Sequence, residues 1–235
     1  MDSLTQPALE PPQGLFVAIL GDIVSSRQLG GARRMYLQRA FRELLADLDH
    51  AFAPALVAKF TITTGDEFEG LIHASSASEV VPDLIWRVEE ALATIALRFG
   101  IGMGSLDTDI VEDVHSIDGP AFHAAREAIE IAARKSILGG VFRGFGEEHD
   151  AILGGIAGVL HHHRFRWSRQ QRRLANLLRR GMRKTEAAGQ LKISKQAVSM
   201  YARAAGWDAY AAGEVAWRMA IAESTRKCPP PPQAV

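Results

Sequence analysis

Leu15 to Leu20 is a nearly unbroken apolar run that stops at Gly21-Asp22. It falls well short of the roughly 18 to 20 residues a membrane span needs and suits a fully buried strand, which puts Asp22 at a strand's carboxyl end. Between Ala32 and Phe52 the apolar residues Met35, Leu37, Phe41, Leu44, Leu45 and Leu48 recur at helical spacing among Arg33, Arg34, Arg42, Glu43 and Asp47, the pattern of a helix with one solvated face. Val57 to Thr63 and Phe68 to His73 read as two strands at hairpin spacing, with Gly65 and Asp66 at the turn. Ala77 to Leu97 follows as a second amphipathic helix and Arg98 to Gly104 as a glycine-rich strand. Pro120 to Ile137 is a further helix, entered through Gly119 and a proline that a first turn tolerates. The order β, α, ββ, α, β, α predicts an α+β, ferredoxin-like palm, a mixed sheet with helices packed on one face rather than a doubly wound fold. From Gly139 to Gly158 the chain is glycine-dense and reads either as one more strand or as a packed connector. Gly144 and Gly146 lack the strand-then-helix setting that a phosphate-cradling loop requires.

Charge divides the chain. Residues 161–207 carry twelve Lys or Arg against one acid, Glu186, whereas residues 1–160 carry twelve bases against 23 acids. Such a step predicts a palm domain over 14–160 and a basic all-α module over 161–224, flanked by disordered tails at 1–13 and 225–235. The single cysteine, Cys228, sits beside Pro229 to Pro232, so no disulfide framework is expected. With no apolar span and no basic-then-apolar leader, the expectation is a cytoplasmic protein without a membrane partner.

Within the basic region, Trp167 to Arg180 places Leu174, Leu177 and Leu178 among five arginines and ends at Gly181, where a helix-terminating glycine belongs. Thr185 can cap a second helix and Ser194 a third. Ala188, Leu191, Ile193, Val198 and Tyr201 fall where a helix-turn-helix buries its core, with Lys192 in place of the usual turn glycine. The exposed side of the third helix then offers Ser194, Lys195, Gln196, Ser199, Met200 and Arg203 to the major groove of double-stranded DNA, with the Gln196 amide the best reader of an adenine edge. His161, His162 and His163 read as a linker that gains charge below about pH 6.5. Trp207, Tyr210 and Trp217 suggest a last helix that packs on the module or on a second copy, and a homodimer is expected from the two-fold symmetry of operator sites.

Asp22 and Asp66, at the ends of neighbouring strands, share one sheet edge. Gly-Asp pairs of this kind arise from turn chemistry alone or mark two carboxylates that hold Mg²⁺. The runs Leu20-Gly21-Asp22-Ile23-Val24-Ser25-Ser26-Arg27, Thr63-Thr64-Gly65-Asp66-Glu67-Phe68, Phe99-Gly100-Ile101-Gly102 and Asp118-Gly119-Pro120-Ala121-Phe122, with Ala125-Arg126, resemble the SatD family of bacterial proteins and, more remotely, class III nucleotide cyclase and GGDEF domains. The resemblance implies Asp22, the Ile23 carbonyl and Asp66 as metal ligands and Arg126 as a phosphate contact. Arg27 and Lys59 can add nucleotide contacts. Cyclases of that class place an asparagine one turn before the arginine, where this chain has Phe122 and His123, and GGDEF enzymes carry two glycines where it has Thr64-Gly65. A site lacking transition-state groups can still bind. The functional expectation is therefore a DNA-binding transcriptional regulator with a sensor domain for Mg²⁺ and a nucleotide or cyclic nucleotide. The alternative is an active nucleotidyl cyclase or related phosphoryl-transfer enzyme targeted by its helix-turn-helix.

Overall fold

The computed structural model describes residues 14–24, 31–63, 67–92, 95–111 and 114–227. Tail 1–13, Cys228, Arg27 and Asp66 lie outside the described residues. Strand β1 (Phe16–Ile23) leads to helix α1 (Gly31–Phe52), the hairpin β2 (Leu56–Ile62) and β3 (Glu67–His73), helix α2 (Ala77–Ala91), β4 (Leu97–Gly104), α3 (Pro120–Lys135) and β5 (Val141–Arg143). Five helices end the chain: α4 (Glu147–Phe165), α5 (Arg169–Arg179), α6 (Lys184–Leu191), α7 (Lys195–Ala204) and α8 (Trp207–Lys227). Residues 225–227, expected in the tail, are thus helical. The strands form one sheet in the order β2-β3-β1-β4-β5. β1 is antiparallel to both β3 and β4, and β5 adds to β4 in parallel. The first four strands have the expected ferredoxin-like β-α-β-β-α-β arrangement.

Alternation along β1 divides its side chains between two cores. Val17, Ile19 and Ile23 join Phe68, Phe99, Ile101 and Met103 beneath Phe41, Leu45 and Leu48 of α1 and Val81, Leu84 and Val88 of α2. Phe68 anchors this layer, with edge-on contacts to Phe41 at 5.5 Å, Phe60 at 6.1 Å and Phe99 at 6.4 Å between ring centres. Gly21 is its register partner, and a Cβ on Gly21 would lie 1.9 Å from the Phe68 ring. Gly21 and Asp22 are therefore strand residues, not a turn, because β1 continues to Ile23.

The opposite face is also covered, contrary to the one-faced expectation. Phe16, Ala18, Ala58 and Leu71 pack under Ala121, Phe122 and Ala125 of α3 and under Leu106, Val114 and Ile117 of the 105–119 connection. The reason lies in β4. Phe99, Ile101 and Met103 enter the first core, while Gly100, Gly102 and Gly104 leave a bare ridge on which α3 rests, so close that a Cβ at Gly102 would stand 2.1 Å from Ala125 N and 2.3 Å from Ala121 O. The glycine-rich strand is thus buried on both sides.

The glycine-dense stretch resolves into β5 and the first half of α4. The expected boundary at 160/161 falls inside α4, and His161 to His163 are helical rather than a linker. Trp167, Ala175, Ala205, Tyr210, Trp217 and Ile221 belong to the same apolar cluster as Val17 and Ile19, so the C-terminal helices share the palm's core. Trp86 of α2 is central to this joint, with Trp167 at 6.2 Å and Tyr210 at 5.8 Å. The guanidinium groups of Arg164 and Arg179 lie over the Trp86 ring at 4.4 and 4.6 Å. Burial pushes the Tyr210 hydroxyl up to about 12. No helix among the described residues is long and apolar enough to cross a membrane.

Candidate functional site

At the carboxyl end of β1, Asp22 stands in register with Glu67 on β3 and Arg98 on β4. Arg98 Nη1 donates to Asp22 Oδ2 at 3.1 Å, and both side chains are about one-fifth exposed (19% and 21%). Ile23 turns its side chain into the α1/α2 core, while Val24 N donates to Ala96 O at 2.9 Å, holding the strand end in place. Lys59 is exposed on β2, the edge strand beyond β3. Asp49 of α1 accepts from Phe60 N at 2.8 Å, and burial raises its carboxyl above the ordinary value against that bond and the Lys59 charge.

No group of three or more His, Cys, Asp or Glu close enough to hold a metal occurs among the described residues. The Asp22 charge is already met by Arg98, so a divalent cation there would compete with a guanidinium. The described residues by themselves do not make a Mg²⁺ seat.

Two residues inward along β3, opposite Leu20, Glu69 is buried and its Oε1 lies 2.7 Å from Nδ1 of His115, on the 3₁₀ turn Val114–Ser116. Nothing in the sequence signals this pair, because the 105–119 connection has no periodicity to position His115. His73, at the other end of β3, is exposed and packs its ring 5.9 Å from Phe16.

Arg126 is placed elsewhere. Its Nη1 donates to Asp118 Oδ1 at 3.2 Å, its guanidinium lies over the Phe122 ring at 5.8 Å, and His123 Nε2 is 3.4 Å from the same carboxylate. Burial acts to raise the Asp118 carboxyl, but the Gly119 amide, Arg126 and His123 outweigh it and hold it below the ordinary value. α3 runs back along β4, with Pro120 and Ala121 against Gly104 and Ala125 against Gly102 and Gly100, the register partners of Ala18 and Leu20, so Arg126 sits level with the middle of β1. The structure sets Asp22 beside Arg98 and Glu67 and turns the Arg126 guanidinium to Asp118.

The C-terminal helices build the second candidate surface. Ser168 Oγ accepts from Gln171 N at 3.3 Å and Gln171 Oε1 accepts from Ser168 N at 2.7 Å, a reciprocal cap that starts α5. Gly181 ends it with φ +83°. Arg183 is the N-cap residue of α6, its backbone N donating to Glu186 Oε2 at 3.0 Å, and Thr185 lies inside the helix rather than capping it. Lys192 takes the left-handed turn conformation at φ 55°, and Ser194 Oγ accepts from Ala197 N at 3.1 Å to start α7. Leu174, Leu177, Ala187, Ala188, Val198 and Ala202 form the module's own core, with Leu191, Ile193 and Tyr201 at its edge. This is the expected helix-turn-helix core, and it leaves Ser194, Lys195, Gln196, Ser199, Met200 and Arg203 exposed.

Not all the basic charge serves that surface. Arg164 is buried against Glu89, and Arg179 donates to Asp83 at 2.8 Å and Glu214 at 2.7 Å. These two arginines join the module to α2, whereas Arg166, Arg169, Arg173, Arg180, Lys192 and Lys195 are exposed.

Among solved structures, a bacterial light-regulated adenylyl cyclase aligns with 13% identity and a TM-score of 0.41, over 54% of this chain and 42% of that one. The adenylyl cyclase CyaB from P. aeruginosa aligns with 14% identity and a TM-score of 0.39, over 51% of this chain and 73% of its own. The catalytic core of a rhodopsin-guanylyl cyclase with converted specificity aligns with 17% identity and a TM-score of 0.37, over 48% and 70%. The chain thus spans about two fifths of the light-regulated enzyme's length. No curated protein sequence matches it. The SatD family model matches residues 16–206, from the first residue of β1 to the residue before α8. By that match the chain belongs to the SatD family.

Proposed function

We propose that this SatD-family chain is a cytoplasmic, dimeric, DNA-binding transcriptional regulator whose palm domain senses a nucleotide. The observation that supports it is α7: capped by Ser194, seated on Val198 and Ala202, and presenting Lys195, Gln196, Ser199 and Arg203 outward beside exposed bases. A helix in a major groove needs a rigid apolar underside and donors on the other side, and α7 has both. Gln196 is suited to an adenine edge, Lys195 and Arg203 to guanine or phosphate.

In this reading the β1 end takes the nucleotide. Asp22, the Ile23 carbonyl and Asp66 would hold Mg²⁺, and Arg27 and Lys59 would meet phosphate. Mg²⁺ would supply the positive charge that Arg98 now gives Asp22. Arg126, now paired with Asp118, would have to leave that carboxylate to meet phosphate.

Fluorescence anisotropy of labelled duplexes against salt tests the DNA reading. About six phosphate contacts give a log–log slope of about −5, and Lys195→Ala should make it shallower by about one. Failure to bind any duplex at low salt would overturn it. Pyrophosphate release from a nucleoside triphosphate with Mg²⁺ or Mn²⁺, abolished by Asp22→Asn, would replace the sensor with an enzyme.

A further inference from the structure

α4 buries Leu153, Ala157, Leu160 and Arg164 and turns a second stripe to solvent: Glu148, Ile152, Gly155, Val159, His162 and Arg166, all exposed. Ile152 is 43% exposed and Val159 69%, unusual for aliphatic residues. Spaced four, three, four, three and four residues apart, the six fall on one helical face.

The stripe is complementary to its own reverse. Turned end over end about the level of residue 157, Glu148 meets Arg166, Ile152 meets His162, and Gly155 meets Val159. Acid faces base at both ends and the large Val159 faces a glycine whose missing side chain leaves open space, with nothing within 4 Å of where a Cβ would be. Neither Glu148 nor Arg166 has an ion-pair partner among the described residues. A groove of about 710 Å³ runs along one flank, lined by Gly154, Gly158, Gln171 and Ala204. α8 packs beside α4, its Gly213 against Leu160.

We infer that this face binds a second copy of the chain, with α4 antiparallel to α4 of the partner about a two-fold axis level with residue 157. The inference gives a surface to the dimer in the proposed function and rests on that reading for its consequence at DNA. A two-fold interface is self-complementary, residue i meeting j and j meeting i, which is the property this stripe has. His163 Nε2 and Trp167 Nε1 both meet Ala205 O, at 2.7 and 2.8 Å, so the helix-turn-helix is tied to the carboxyl end of α4. Antiparallel pairing sends the two modules to opposite ends of a helix about 28 Å long at 1.5 Å per residue, comparable to the roughly 34 Å between half-sites one DNA turn apart.

Sedimentation equilibrium of the full chain tests it. The wild type should be dimeric, and Val159→Asp should weaken dimerisation by about a hundredfold through burial of an unpaired charge. Glu148→Arg and Arg166→Glu should each weaken it and their combination restore it, an outcome no loss of folding can produce. A mixture of Gly155→Cys and Val159→Cys chains, each in a Cys228→Ser background, should cross-link on oxidation. A monomeric wild type, a Val159→Asp dimer as tight as the wild type, or no restoration in the double variant would overturn the interface. Half-site duplex binding by Val159→Asp reports on the DNA reading separately.

Discussion

Arg179 of α5 reaches Asp83 of α2 at 2.8 Å, and the same Asp83 oxygen accepts from Arg218 of α8 at 2.6 Å. Glu214 closes the network, 2.7 Å from each arginine. Two cations and two anions thereby tie the first helix of the basic module to the palm. Arg179→Met should leave Asp83 and Glu214 sharing the single cation Arg218 in a partly buried setting and cost about 1 to 3 kcal/mol in urea unfolding. An Asp83→Asn, Arg179→Met double variant should lose less than the two single losses together.

The same carboxyl makes the joint acid-sensitive. Burial acts to raise Asp83, but the Arg179 and Arg218 charges and hydrogen bonds outweigh it and hold it below its ordinary value of 3.8. A carboxyl lowered in the folded state contributes stability that is fully present above 3.8 and is lost as pH falls through the lowered value. Urea midpoints should therefore drop more steeply below pH 4 for the wild type than for Asp83→Asn. Parallel curves would remove Asp83 from the account.

The glycines of β4 and α6 should respond oppositely to alanine. At Gly102 the new methyl group meets the α3 backbone at 2.1 Å. Backbone cannot swing aside, so Gly102→Ala should cost about 3 kcal/mol or more or yield insoluble protein. Gly189, in α6, has nothing within 4 Å, and Gly189→Ala should stabilise by about 0.5 to 1 kcal/mol through helix propensity. Thermal unfolding separates the two.

That contrast also shows what could be read in the one-dimensional chain. The strand Leu15 to Leu20, the hairpin, and the core of Ala188, Ile193 and Val198 were legible because each depends on residues close in sequence. Gly100, Gly102 and Gly104 were not, because their meaning depends on a helix that arrives twenty residues later. α4 was hidden by Gly154, Gly155 and Gly158, which dilute its apolar period, and by three histidines that read as a linker although His161 is paired with Glu89 of α2 at 2.6 Å. At the palm's edge, the position of Asp22 followed from its strand. Its pairing with Arg98, and that of Arg126 with Asp118, depend on register and on a connection with no periodicity.

Lys192 and Ser194 frame the turn before α7 and separate stability from recognition. A lysine held at φ 55° carries roughly 1 kcal/mol of backbone strain that glycine avoids, so Lys192→Gly should raise the urea midpoint. Ser194→Ala removes the acceptor for Ala197 N and should cost about 1 kcal/mol. Gln196→Ala, on the exposed side, should leave the midpoint unchanged while costing about 1 to 3 kcal/mol in affinity at one base pair of a bound site.

Arg98 is the natural competitor of any cation at Asp22, since its guanidinium already neutralises that carboxylate. Removing the guanidinium while keeping the aliphatic stem, as in Arg98→Met, should therefore tighten Mn²⁺ binding in the presence of nucleotide by about tenfold, one displaced partly buried ion pair being of that order. Asp22→Asn should abolish the binding in either background, as electron paramagnetic resonance of free Mn²⁺ can report. If Arg98→Met binds no more tightly while Asp22→Asn binds as well as the wild type, the β1 end is a structural ion pair. The sensing role would then have to be sought elsewhere on the palm.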